Sequence, residues 1–184
     1  STTPQTVKDF SAVAFFFARK LYLELGVPVG VIESAWGSMP VETFTSREAL
    51  NTLPATRKLV EAVLKAEAAY DPAKMQAYQA HLAAMTAVPD KSAEERKRSP
   101  KKKPKALEQP LLIAGNPGVL FASMIHPFIG YTIRGAIWYQ GEANARPDAM
   151  PYAQTLPLMI NDWRHRWPGE FSFSFEPHAA STPA

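Results

Sequence analysis

The feature that most narrows the fold is an alternation: short apolar runs of strand length, separated by longer stretches with helical spacing. Val27 to Ile32 is one such run and Ile133 to Tyr139 is another, while Phe171, Phe173 and Phe175 alternate as a third strand would. Between and before them lie helical patterns. Val7 to Leu25 carries Phe10, Val13, Ala14, Phe17, Leu21 and Leu25 at helical spacing, and Gly26 follows as a stop. Thr45-Ser46-Arg47-Glu48 has capping-box spacing, from Thr45 to Glu48, for a helix opening near Ala49. Thr56 to Thr86 is rich in helix formers and predicts two helices broken near Asp71-Pro72. Pro151 suits the first turn of a last helix, along which Leu156, Met159, Ile160, Trp163 and Trp167 place apolar bulk on one side, up to Pro168-Gly169. The order of helix, strand, helices, strand, helix, strand predicts an α/β fold with a parallel sheet.

Bulk properties remove several function classes. A chain of 184 residues, 46% hydrophobic and 20% charged, has the composition and length of one globular domain. No apolar run approaches the roughly 20 residues that a membrane-spanning helix needs, so no membrane span is expected. There is no cysteine, which excludes disulfides, thiolate nucleophiles and Cys-based zinc sites. The four histidines lack ligand spacing, so neither a metal nor a cofactor is expected. The net charge of +3 conceals an asymmetry: Lys91 to Lys105 sums to +6, leaving −3 for everything else. That Pro-broken run of like charges reads as a solvated loop, and a nucleic-acid partner is not expected. Ser1 to Phe10 does not open as a signal peptide. Localisation stays open on that ground, an exported parent being neither supported nor excluded.

Open α/β sheets bind ligands in the crevice beyond the carboxyl ends of their strands. Two loops leave predicted strands at that edge, Ser34 to Met39 and Gln140 to Asn144. Each has a glycine that permits close backbone approach, and the second adds two amides and a carboxylate within five residues. Such a loop fits either a binding site or a structural turn capped by Asn144.

These residues also resemble a known family. Val29-Gly30-Val31-Ile32-Glu33-Ser34-Ala35-Trp36-Gly37 resembles the VGLI-x-S-x-WGG segment of sialate O-acetylesterases, and Leu120-Phe121-Ala122-Ser123-Met124-Ile125-His126-Pro127 resembles their L-[FY]-N-G-M-I-x-P segment. Ile133 to Glu142 is close to their IRGAIWYQGE stretch, the most specific of the set. Phe10-Ser11-Ala12-Val13 and Met159-Ile160-Asn161-Asp162-Trp163-Arg164 fit as well, in the right order. The resemblance covers about residues 4–175. Within it 51–108 matches only as a variable helical insert with the basic loop 91–105, and 176–184 matches nothing.

The resemblance implies a flavodoxin-like, SGNH-hydrolase three-layer sandwich with a parallel sheet, incomplete in this chain. It implies hydrolysis of O-acetyl esters on sialic acids or related acetylated sugars by a Ser, His and Asp triad with an oxyanion hole. Carried over by position, Gly37 would offer a backbone N–H and Gln140 a side-chain amide to that hole. Glu142 and Asn144 would line the substrate pocket. The family's nucleophile lies in a Gly-Gln-Ser-Asn segment upstream, and no Gly-Gln-Ser or Gly-x-Ser-x-Gly occurs here. The family's Asp and His lie downstream of the third strand. Ser38-Met39 stands for the usual Gly-Thr, Ala122-Ser123 for Asn-Gly, and Ala143 for Ser.

Several residues invite a catalytic role that the pattern does not support. Ser34, Ser38 and Ser123 have no base supplied by their motifs, and a serine needs one to attack. Asp162 and His165 have Asp-x-x-His spacing but fall in the family's ordinary helix, so a structural role is expected. His126, before Pro127, either borders the pocket or is a hydrogen-bonded structural imidazole, and the second is expected. Two other functions remain open: a non-catalytic sugar-binding or structural module, and a glycosidase pairing Glu142 with Glu33 or Glu42, whose carboxyls would need to lie roughly 5–9.5 Å apart. Oligomeric state is not readable from the sequence.

Overall fold

The computed structural model of the chain describes residues 3, 6–8, 10–86 and 113–175. The basic run 91–105 and the tail 176–184 lie outside the described residues.

Helix α1 (Ala12–Leu25) begins later than the pattern from Val7 suggests, because Ser11 caps it and leaves Val7 and Phe10 outside. It ends as expected on Gly26, whose φ of 66° is the left-handed conformation that closes a helix at little steric cost. Ser11 Oγ accepts from the Ala14 N–H at 3.3 Å, and Glu33 Oε2 accepts from the Ser11 N–H at 3.0 Å. Only Ala14 is buried; Val13, Phe16, Phe17, Tyr22, Leu23 and Leu25 are exposed. The run after it departs from expectation. Val27 to Ile32 joins no sheet, and Val27, Val31 and Ile32 are exposed. A β-branched run becomes a strand only when a neighbour supplies the ladder and a layer covers its faces, and no described residue does either here.

The core gathers on the rest of the chain. A 3-10 turn (Val41–Phe44) leads into α2 (Arg47–Thr52), and α3 (Pro54–Ala68) and α4 (Pro72–Thr86) follow. The break at Asp71-Pro72 falls where the sequence puts it, with Asp71 Oδ1 accepting from the Ala73 N–H at 2.9 Å. The α2 cap shifts by one residue. Ser46, not Thr45, is the N-cap, accepting from the Ala49 N–H at 3.1 Å. Thr45 is committed elsewhere, its hydroxyl donating to the Val41 carbonyl at 3.0 Å. Glu48 then pairs with Arg166 instead of reaching back to the cap. Helix α3 buries Thr56, Val60 and Val63 and is tied to α2 by Arg47, whose guanidinium forks onto Glu67 at 2.9 and 2.6 Å.

Strands β1 (Gly135–Trp138) and β2 (Ser172–Phe175) are parallel, paired from Gly135 with Ser172 to Trp138 with Phe175, and α5 (Tyr152–Arg166) connects them. A parallel pair needs such a crossover, so the three form a βαβ unit. Gly135 is required by proximity, since a Cβ there would come within 3.0 Å of the Ser172 carbonyl oxygen. Leu156, Met159 and Trp163 of α5 bury against Val41, Phe44, Leu120, Phe121 and Trp138. The rings of Trp138 and Trp163 meet edge to face at 5.9 Å, as do those of Phe44 and Trp138 at 5.3 Å. The indole N–H groups of the three buried tryptophans are satisfied: Trp163 donates to the Phe44 carbonyl, Trp167 to the Tyr131 carbonyl, and Trp138 to the Tyr152 hydroxyl. The class is α/β, helices with a two-stranded parallel sheet among the described residues. No helix among them is long and apolar enough to cross a membrane.

Candidate functional site

Strand β1 ends at Trp138, and the chain turns through Gln140 and Gly141 into a short 3-10 turn, Glu142–Asn144. Tyr152, at the start of α5, pins this turn from below. Its hydroxyl accepts from Trp138 Nε1 at 3.0 Å and donates to the Gln140 carbonyl at 3.0 Å. Burial raises the Tyr152 pKa above the ordinary tyrosine value; the Trp138 hydrogen bond opposes this, and the negative charges of Glu142 and Glu42 add to the rise.

The second loop arrives from the other side of the sequence. Met39 carries the carbonyl that accepts from Gln140 Nε2 at 3.1 Å, and the same Nε2 donates to Asn144 Oδ1 at 2.8 Å. Asn144 Oδ1 also accepts from the Val41 N–H at 2.9 Å, while Asn144 Nδ2 donates to both carboxylate oxygens of Glu42, each at 3.1 Å. Gln140 Oε1 is buried and has no hydrogen-bond partner. The structure therefore brings the Gly37 loop and the Gln140 loop together, through Met39.

Gly37 is exposed, and a Cβ added to it would meet nothing within 4 Å. Ser38 beside it has φ of 62°, a left-handed conformation uncommon for a residue other than glycine. Glu142 is exposed and accepts from the Gly141 N–H at 3.2 Å. Asn144 is 7% exposed, with both polar atoms of its amide occupied by the protein.

Other residues raised by the sequence stand apart. Ser34 donates to the Met124 carbonyl at 2.7 Å and Ser123 to the Val119 carbonyl at 2.8 Å. Asp162 is buried and accepts from the Ser46 N–H at 2.9 Å, the Ser46 hydroxyl at 2.8 Å and Arg166 Nε at 2.7 Å; His165 is exposed on the same helix. The two do not form a dyad: the Asp162 carboxylate is turned to Ser46 and Arg166 in the core, His165 is exposed, and no hydrogen bond joins them among the described residues. Glu33 holds the start of α1 and Glu42 lies behind Asn144. A cavity of about 500 Å³ lined by Arg47, Glu48, Phe121, Ser123, His126 and Arg166 holds none of Gly37, Gln140, Glu142 or Asn144. In it the His126 ring sits against Phe121 at 6.1 Å, and Arg166 lies 5.1 Å over the Phe121 ring.

Sequence reasoning missed Met39 and Tyr152 as partners of Gln140. The signal for Tyr152 was faint, an aromatic at the start of a helix that follows a strand ending in tryptophan.

A comparison with curated proteins identifies relatives of this stretch of chain. It is 32% identical over 155 residues to the sialate O-acetylesterase of Rattus norvegicus, covering 84% of this chain and 25% of that protein. The sialate O-acetylesterase of Mus musculus is 30% identical over 156 residues, 84% of this chain and 25% of its own length. The chain belongs to a sialate O-acetylesterase-like family. The Homo sapiens protein of the same name is 27% identical over 157 residues, 85% of this chain and 21% of its length. The chain thus spans about a fifth to a quarter of the curated relatives it matches. No family model matches it, and no solved structure matches it significantly.

Proposed function

We propose that this chain is part of a carbohydrate esterase that removes O-acetyl groups from sialic acid or a related acetylated sugar, and that it supplies the oxyanion-binding half of the site. The observation that carries the reading is Gln140, a half-buried amide two residues beyond the end of β1 that bridges the Met39 carbonyl and Asn144. In the reaction Gln140 Nε2 exchanges its longer bond, to Met39, for the oxygen that becomes negative in the tetrahedral intermediate. The bond to Asn144 keeps it aimed. Gly37 donates its backbone N–H to the same oxygen, and Glu142, exposed at the loop, faces the sugar. Preorganised donors of this kind act on the transition state more than on the ground state. The nucleophile and its Asp and His come from outside these 184 residues, within a three-layer SGNH-type sandwich of which the βαβ unit is one part. The family relationship and the absence of any serine–histidine hydrogen bond among the described residues support this division of labour.

Two measurements test it. The isolated chain should hydrolyse p-nitrophenyl acetate no faster than background. In a full-length protein containing this chain, Gln140→Ala should lower kcat by about 10²–10³ with KM little changed. A folded Gln140→Ala protein with normal kcat on an O-acetylated sialic acid refutes the assignment.

A further inference from the structure

Glu42 is 4% exposed, and its carboxylate accepts hydrogen bonds from the Asn144 amide at both oxygens. No ion pair to it is present among the described residues. A buried charge held by one neutral amide is costly to maintain, so its effect on that amide is the place to look for its use. A carboxylate only accepts, so it faces Nδ2 of Asn144 and fixes which way the Asn144 amide points. Oδ1 is thereby turned to the Val41 N–H and to Gln140 Nε2. An amide oxygen there admits only the nitrogen end of Gln140, and leaves Oε1 on the other side, where it has no partner. The order of the chain is carboxylate, amide, amide, and each link removes one flip from the next. Polarisation along such a chain also strengthens the terminal bond.

We propose that Glu42 is a positioning residue that orients the Gln140 amide through Asn144. The inference rests on the reading of Gln140 as an oxyanion donor for its catalytic meaning, while the relay itself does not.

The relay is tested in the ¹⁵N-labelled 184-residue chain by exchange of the Gln140 side-chain amide protons with water. Glu42→Met removes the acceptor at similar length and should speed that exchange about tenfold or more, the scale of a lost charge-assisted bond, with backbone amide shifts preserved away from the site. Glu42→Gln, whose single carbonyl can still accept from Nδ2, should give a smaller rise. A Gln140 amide that exchanges at the original rate in a folded variant overturns the proposal, and Glu42→Gln decides alone should Glu42→Met fail to fold. Kinetics separate the two readings. In a full-length protein, Glu42→Gln should lower kcat and leave KM unchanged. Faster Gln140 exchange with unchanged kcat would uphold the relay and sink the oxyanion role of Gln140.

Discussion

Removing the Asp162 carboxylate separates a structural aspartate from a catalytic one. It takes hydrogen bonds from the Ser46 backbone at 2.9 Å, the Ser46 hydroxyl at 2.8 Å and Arg166 Nε at 2.7 Å. Ser46 is 1% exposed, so after Asp162→Ala its N–H has no water to turn to. A buried donor left unsatisfied costs about 1–3 kcal/mol, and breaking a buried ion pair costs about 3–5 kcal/mol. Arg166 is 28% exposed and retains Glu48 at 3.1 Å, which moderates the second term. Asp162→Ala should therefore destabilise the chain by about 3 kcal/mol. His165→Ala, at an exposed position of the same helix, should stay within about 0.5 kcal/mol of the parent. Urea unfolding followed by tryptophan fluorescence measures both, since Trp163 adjoins Asp162 in the core. An Asp162→Ala loss below about 1 kcal/mol refutes the bonding account. A His165→Ala loss in turnover on the order of 10⁴ in a full-length protein would instead restore the pair as a dyad.

Two further outcomes follow from the site. Ser38→Gly relieves a left-handed serine and should stabilise the chain by about 0.5–1 kcal/mol in urea unfolding, less than the full strain because glycine also gains freedom in the unfolded chain; a loss of stability would show that the Ser38 side chain holds the turn. Tyr152 has a folded pKa above its unfolded value of about 10, so its contribution is intact below that pH and is lost as pH rises through the folded value. The stability advantage of the parent over Tyr152→Phe should shrink from about pH 10 upward, and parallel curves would refute it.

Local pattern made the last third of the chain readable. Leu156, Met159 and Trp163 recur at helical spacing and do face the core, and the alternating phenylalanines do mark a strand. Both signals lie within one element, where periodicity is informative. Val27 to Ile32 carries as strong a local signal, yet pairing depends on neighbours that a run of residues does not encode. The Gln140 loop was legible as a polar cluster after a strand, but not its internal wiring. Asn144 meets Val41 and Glu42 across 103 and 102 positions, and no spacing rule reaches that far. The one-residue shift of the α2 cap has the same origin, for Asp162 claims Ser46 from 116 positions away.

The unequal burial of α1 and α5 divides the molecule into two regimes of cooperativity. With Ala14 its one buried residue, α1 has little to lose by opening, whereas α5 can open only by breaking the aromatic cluster. Amide protons of the first helix should therefore exchange through local fraying, and those of the second only through global unfolding. The segment that leads from α1 to the 3-10 turn at Val41 is moored on either side of Gly37, by Ser34 on the Met124 carbonyl and by the Met39 carbonyl under Gln140. Gly37 lies between these moorings, so the backbone N–H that would meet an oxyanion sits on the boundary between a yielding part of the molecule and a rigid one.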